Sequence, residues 1–325
     1  MTDPYVRPDV RAFLAYLNAV PGPNMHEVSP PEARALMLGM RAVADAEVGE
    51  IAVRRDLALP GPAGELRARL YDRRESREPG PVMVFFHGGG FVIGDLETHD
   101  PYCAEAARAL DMPVIAIDYR LAPEHPWPAA PDDCEAAARW VADSPDALGR
   151  RVTALVLSGD SAGGNLTIVT AMALRDRPAA VPVIAQFPIY PAVDDGADWG
   201  SFHEFGDGYL LTADGMAWFS TAYAAELGHP RSAPLHQSQE GMPPTLVVTA
   251  SLDPLRDQGR AYAGALIAAG VPTTYREAAG TIHGFINLRK GIPSTAGDLA
   301  ACFAVLKPMI MEAEANRVMA QAAPA

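Results

Sequence analysis

The chain has 325 residues, 49% of them hydrophobic and 20% charged, with a formal net charge of −14. That length holds one large domain or two small ones with an ordinary globular balance, and no apolar run approaches the roughly 18 residues of a membrane span. So acidic a surface repels phosphate backbones and anionic headgroups, which argues against nucleic acid and membranes as partners.

The first residues, Met-Thr-Asp-Pro-Tyr-Val-Arg-Pro, carry no basic stretch followed by an apolar core, so no secretory signal is expected. Two helical patterns follow, at about 8–20 and 30–46; the second sets Ala33, Leu36, Met37 and Met40 three and four apart. Partly alternating runs at 51–59 and 65–71, parted by Pro60-Gly61-Pro62-Ala63-Gly64, predict two strands. From there short apolar strands alternate with helices. The strands fall at 82–86, 114–117, 154–157, 181–187, 246–249 and 273–276, and the helices at 101–110, 129–141, 162–174, 258–269 and 295–314.

This alternation predicts an α/β fold, a mostly parallel eight-stranded sheet with helices on both faces and the first two strands as an antiparallel edge. Residues 194–242 break the rhythm with turn residues, aromatics and one amphipathic helix near 212–227, and read as an insertion. Residues 319–325 read as a frayed tail. Three scattered cysteines, Cys103, Cys134 and Cys302, are odd in number and outside any CxxC spacing. They are expected to be reduced core residues of a cytoplasmic protein, with no metal role. In such sheets ligands sit beyond the carboxyl ends of the strands, and chemistry is expected there.

The strongest local signal is Gly159-Asp160-Ser161-Ala162-Gly163-Gly164, between the strand at 154–157 and the helix from 162. G-x-S-x-G in that context makes a sharp strand-to-helix turn that projects the serine oxygen, and Gly159 and Gly163 supply the small neighbours it requires. The helix behind it points its N-terminal amides at the site, favouring developing negative charge. Gly159 and Gly164 have the spacing of a phosphate-binding loop, but Asn165-Leu166 stand where Lys-Ser/Thr would be needed. His87-Gly88-Gly89-Gly90-Phe91 follows directly on the strand at 82–86. Consecutive glycines let backbone amides face a ligand, as an oxyanion hole needs, each such donor being worth about 10²–10³ in rate. A dinucleotide loop would need glycine where Ile93 stands, and His87, abutting the glycines, is expected to be structural.

A serine nucleophile needs a general base, and the base an orienting carboxylate. In a doubly wound hydrolase the order is serine, acid, histidine. Of the histidines after Ser161, His203, His229 and His236 lie in the insertion, whereas His283 lies between a core strand and the last helix, bracketed by Gly280 and Gly284. Asp253, after the strand at 246–249, is the expected acid. Asp257 is the near rival, better explained as the start of a helix, and Asp194 and Asp195 are weaker candidates.

With His-Gly-Gly-Gly, Gly-Asp-Ser-Ala-Gly-Gly, Asp-Pro-Leu and His-Gly-Phe in this order, the chain resembles the hormone-sensitive lipase family of α/β-hydrolases, the bacterial family IV carboxylesterases. The segment Asp118-Tyr119-Arg120-Leu121-Ala122-Pro123-Glu124-His125-Pro126 strengthens the likeness and is expected to be scaffolding. The resemblance implies an α/β-hydrolase fold with Ser161, Asp253 and His283 as the triad and the amides of Gly89, Gly90 and Ala162 as the oxyanion hole. It implies a helical cap from residues 1–50 and 194–242 over a catalytic domain of 51–193 and 243–325. Phe202, Phe205, Tyr209, Trp218 and Phe219 of that cap are pocket-lining candidates, although their helical spacing is equally that of packing residues. Asp160 matches the subgroup with aspartate before the serine; Gln258 departs from it, standing where an acidic residue is expected. The implied activity is hydrolysis of short- to medium-chain carboxylic esters through an acyl-enzyme, on a small-molecule ester and without a cofactor. A lipase or amidase specificity on the same triad, a non-catalytic binding protein of the gibberellin-receptor kind, and a homodimer stand as alternatives.

Overall fold

Along β5 (Val152–Asp160) successive side chains go to opposite faces: Leu155 and Leu157 join one buried cluster, Ala154 and Val156 another. β3 (Gly80–Phe86) sorts the same way, Val82, Val84 and Phe86 to the first cluster and Met83 and Phe85 to the second. Strands apolar on both faces must be covered on both. α4 (Ala129–Ala142), α5 (Ala162–Asp176) and α8 (Arg256–Ala268) cover the first face. α3 (Asp100–Leu110) and α9 (Thr295–Ala322) cover the second. These relations come from a computed structural model, which describes residues 3–20, 22–196 and 198–322.

The remaining strands are β1 (Val53–Gly61), β2 (Gly64–Asp72), β4 (Val114–Asp118), β6 (Val183–Ile189), β7 (Thr245–Leu252) and β8 (Thr273–Ile282). The sheet runs β1-β2-β4-β3-β5-β6-β7-β8, antiparallel at β1/β2 and β2/β4 and parallel elsewhere. After β3 the chain goes outward to β4 and then returns to the other side as β5. The sheet therefore changes direction between β3 and β5, and a crevice opens beyond their carboxyl ends. Phe86 pairs with Gly159 across that switch, so the residues after them, His87 and Asp160, stand abreast.

The first turn of α5 closes against this point. A Cβ built on Gly163 would lie 1.9 Å from the Phe86 carbonyl oxygen, so glycine alone allows the approach. His87 is locked beside it: its Nδ1 faces the Gly88 carbonyl at 2.7 Å, its own carbonyl accepts from the Tyr119 hydroxyl at 2.7 Å, and its ring stacks on Tyr119 at 4.2 Å.

A third apolar cluster lies over the ends of β7 and β8, joining Val10 and Phe13 of α1 (Pro8–Ala19), Ala44 of α2 (Pro30–Ala44) and Phe205 of α6 (Gly200–Phe205) to Leu252 and Ile282. Charge fastens these helices down: Arg7 pairs with Asp298 of α9, and the fully buried Asp45 carboxylate with Arg289. Among the described residues no helix is long and apolar enough to cross a membrane.

The structure corrects three expectations. β8 runs on to Ile282 instead of stopping at 276, because pairing with β7 through Glu277 and Ala278 extends it where the side chains show no strand pattern. The helix expected at 212–227 is α7 (Ala213–Tyr223), ended by Ala224 in left-handed conformation, and α6 precedes it. The tail is helical through Ala322, α9 continuing across Pro308; residues 323–325 lie outside the described set.

Two outcomes are expected. Gly163→Ala drives a methyl into backbone and should destabilise the protein by about 3 kcal/mol in chemical denaturation; a loss below about 1 kcal/mol would mean that the turn relaxes freely. Burial, with His99 close by, pushes the His87 imidazole pKa down to about 4. The unfolded chain takes up that proton near pH 6.5, so the stability is present above about pH 6.5 and lost as pH falls toward 4. Between about pH 7 and about pH 4.5, His87→Asn should lose about 2–3 kcal/mol less than the parent. Equal losses in the two proteins would exclude His87 as the source.

Candidate active site

The turn from β5 into α5 holds Ser161 at φ 57°, a strained backbone that lifts its hydroxyl out of the helix. Its amide donates to the Ile189 carbonyl at 2.8 Å, which anchors the strained residue to β6. His283 comes from the loop after β8 and Asp253 from the end of β7, so three parallel strands deliver their next residues to one place.

The structure brings those residues into a line. His283 Nε2 lies 2.9 Å from Ser161 Oγ, and His283 Nδ1 lies 2.7 Å from Asp253 Oδ2. Asp253 is fully buried, and its other oxygen accepts the Leu255 amide at 2.8 Å. With a carboxylate facing Nδ1, that nitrogen carries the proton and Nε2 offers its lone pair to the hydroxyl. The Tyr190 ring backs the imidazole at 4.5 Å.

Beside the serine turn is the loop after β3. The amides of Gly89, Gly90 and Ala162 have no acceptor among the described residues, whereas the Gly88 amide is taken by Asp160 Oδ1 at 2.7 Å. Gly90 has φ +58°, and a Cβ there would meet the Phe219 ring at 2.3 Å. Next to it the Phe91 ring lies flat on Tyr223, centroids 3.8 Å apart and planes 6° from parallel. Both aromatics belong to α7. On the other side, Arg34 of α2 donates to the Val92 carbonyl at 2.9 Å and the Ala122 carbonyl at 3.0 Å, and grips Glu124 with two nitrogens. The segment from Asp118 thus serves as a bracket for the loop, with Arg120 clamped to the buried Asp133.

The other candidates fall elsewhere. Asp257 accepts the Ser201 amide at 2.8 Å and pairs with Arg256 and Arg260, fastening α6 to α8. Asp194 accepts from Trp199 and faces His236; Asp195 accepts the Gly228 amide; His203 is exposed beside Asp198. Gln258 keeps the acceptor role that its unexpected side chain left open, taking the Val193 amide at 2.7 Å and the Asp194 amide at 3.1 Å. Phe205 and Tyr209 pack on each other, Phe205 buried beneath Arg256, so Phe219 is the aromatic placed on the glycine loop. Sequence reasoning missed Arg34, His99 and Tyr190. Each acts at long range in the chain, and only the histidine in Thr98-His99-Asp100, between a strand and a helix, offered a local hint.

An alcohol, an imidazole with a buried carboxylate behind it, and free amides form a set suited to attack on a carbonyl. Among the described residues no group of three or more His, Cys, Asp or Glu side chains is placed to hold a metal ion.

Comparison with known proteins places this arrangement in a lineage. A family model for the alpha/beta hydrolase fold matches residues 83–287. A carboxylic ester hydrolase of Mycobacterium tuberculosis, LipN, is 43% identical over 271 residues, covering 79% of this chain and 72% of the relative. An ethyl acetate hydrolase of Pseudomonas putida is 36% identical over 296 residues, 87% of this chain and 92% of the relative. Among solved structures, an ester hydrolase from the metagenome of Lake Arreo in complex with a bipyridine phosphonate derivative superimposes with a TM-score of 0.88 at 38% identity, covering 94% of this chain and 99% of that one. A thermostable esterase of Pseudomonas putida superimposes with a TM-score of 0.89 at 29% identity, covering 95% and 99%. The chain therefore belongs to the hormone-sensitive lipase family of alpha/beta hydrolases.

Proposed function

We propose that the chain is a serine carboxylesterase acting on small carboxylic esters of short to medium acyl chain. The observation that carries this reading is the line Asp253–His283–Ser161, with contacts of 2.7 and 2.9 Å, ending opposite free backbone amides. Relatives named for carboxylic ester and ethyl acetate hydrolysis support it.

In the proposed cycle His283 Nε2 takes the Ser161 proton as Oγ bonds to the ester carbonyl carbon, and the carbonyl π electrons move to the oxygen. The amides of Gly89, Gly90 and Ala162 bind that oxyanion, and the buried Asp253 carboxylate stabilises the imidazolium. When the oxyanion collapses, the bond to the alcohol oxygen breaks, and the alcohol leaves with the proton from His283. Water, deprotonated by the same imidazole, then attacks the acyl-enzyme. The acid leaves and Ser161 regains its proton.

The N-terminal helices and the 194–242 insertion act as the cap in this reading, with Phe219 limiting the space above Gly90, in keeping with short acyl chains. The cysteines suit a reducing cytoplasm, since Cys103, Cys134 and Cys302 are buried and unpaired.

Ser161→Ala should abolish hydrolysis of p-nitrophenyl butyrate while leaving the unfolding transition in place, and retained turnover would remove Ser161 from the mechanism. Asp253→Asn should lower kcat by up to ~10⁴ through the wrong imidazole tautomer. Should Asp257→Asn cause that collapse instead, the acid would be misassigned. A series of p-nitrophenyl esters should favour short acyl chains, and Phe219→Ala should move the optimum toward longer ones. An optimum that stays put would take Phe219 out of the acyl pocket.

A further inference from the structure

Behind the candidate site lies a second buried charge that the cycle above does not use. Asp160, beside the nucleophile in sequence, is 3% exposed. Its Oδ1 accepts the Gly88 amide at 2.7 Å, and its Oδ2 accepts the Tyr190 hydroxyl at 3.3 Å. The Gly88 amide is the last fixed point before the free amides of Gly89 and Gly90. Tyr190 is the residue whose ring backs His283. One carboxylate thus touches both halves of the machinery, the loop that faces the oxyanion and the support of the imidazole.

What stabilises that carboxylate is His99, itself 1% exposed. Its Nε2 stands 3.1 Å from Asp160 Oδ1, off the line of a good hydrogen bond but in direct electrostatic contact. Its Nδ1 stands 3.0 Å from the Thr98 hydroxyl oxygen. That hydroxyl donates to the Asp95 carbonyl at 2.9 Å and accepts the Asp95 amide at 2.9 Å. Both ring nitrogens therefore face oxygen atoms. Burial pushes the Asp160 carboxyl up, but His99, followed by the Gly88 amide, outweighs it and holds the group below the ordinary carboxylate value. A buried carboxylate left without such a partner would protonate or turn away.

We propose that His99 is a positioning residue for ester hydrolysis: it keeps Asp160 charged and in place, and through Asp160 fixes the Gly88 amide that orients the oxyanion loop and the Tyr190 ring that supports His283. The inference rests on the carboxylesterase reading and deepens it. His99 touches neither substrate nor reacting atoms. Its removal displaces donors that matter most in the transition state, so the loss falls on kcat and spares KM.

The test compares the parent protein with His99→Leu, His99→Gln and Asp160→Asn on p-nitrophenyl butyrate, with rates expressed per Ser161 titrated by a fluorophosphonate. His99→Leu should lower kcat by about 10–100-fold, the scale of misplaced rather than deleted donors, with KM within about threefold. His99→Gln, which returns an N–H to the carboxylate, should recover most of that loss. A kcat within about twofold of the parent in His99→Leu, a KM that rises as kcat falls, or no advantage of Gln over Leu would each overturn the proposal. If His99→Leu does not fold, Asp160→Asn decides, since it keeps an acceptor for Gly88 but not the charge. A tenfold or greater fall in kcat at unchanged KM supports the role, and a near-parent kcat ends it. A parent protein without turnover, or an active Ser161→Ala, would instead bring down the carboxylesterase reading. Turnover lost in Ser161→Ala but intact in His99→Leu would refute the positioning role alone.

Discussion

The approach of α5 to the end of β3 is the constraint on which the site depends. Serine and free amides can face one point only if the first turn of a helix sits almost on the carbonyl of the neighbouring strand, and at Gly163 nothing larger than hydrogen fits. Parallel pairing makes the rest follow. Because β3 and β5 run in register, with Phe86 opposite Gly159, the glycine loop and the serine turn leave the sheet side by side. Because β7 and β8 are parallel to them, their next loops bring Asp253 and His283 to the same edge. The chemistry is thus a consequence of strand direction before it is one of side chains.

Charge burial is the second organising effect. Taking a carboxylate out of water is expensive unless its oxygens find donors, and the two aspartates at this edge meet that demand differently. Asp253 is held by one backbone amide and the imidazole of His283, so it lies directly behind the ring that faces Ser161. Asp160 is held by an amide, a phenol and His99, so its charge is spent on geometry. Each of these two aspartates near one serine has its own histidine, Asp253 with His283 and Asp160 with His99.

The sheet, the serine turn, the glycine loop and the placing of Asp253 at the end of β7 and Asp257 at the start of α8 were legible in the sequence because each is a local pattern. Alternation marks a doubly covered strand, small residues mark a crowded turn, and Asp257 sits where a helix wants a carboxylate and was found fastening α6 to α8. What the sequence withheld depends on pairing across the chain. The far half of β8 has the side chains of a loop and is a strand only because β7 lies beside it. Arg34 reaches the glycine loop from 58 residues away and Tyr190 reaches Asp160 from 30, and no spacing rule encodes either contact. Gln258 looked like a departure from the family and proved to be a substitution within the role, since two backbone amides need an acceptor there and need no charge.

The glycine loop is gripped from outside the sheet as well as from within it. Phe219 presses on Gly90, Tyr223 lies flat on Phe91, and Arg34 holds the carbonyls of Val92 and Ala122. All three come from α2 and α7, the elements proposed as part of the cap. A glycine loop carries little intrinsic preference for one shape, and its entropy favours many. Aromatic faces and a forked guanidinium supply the missing rigidity from one side, while Asp160 supplies it from the other. The same contacts therefore brace the three consecutive glycines from outside the sheet, and a change in α2 or α7 reaches their backbone.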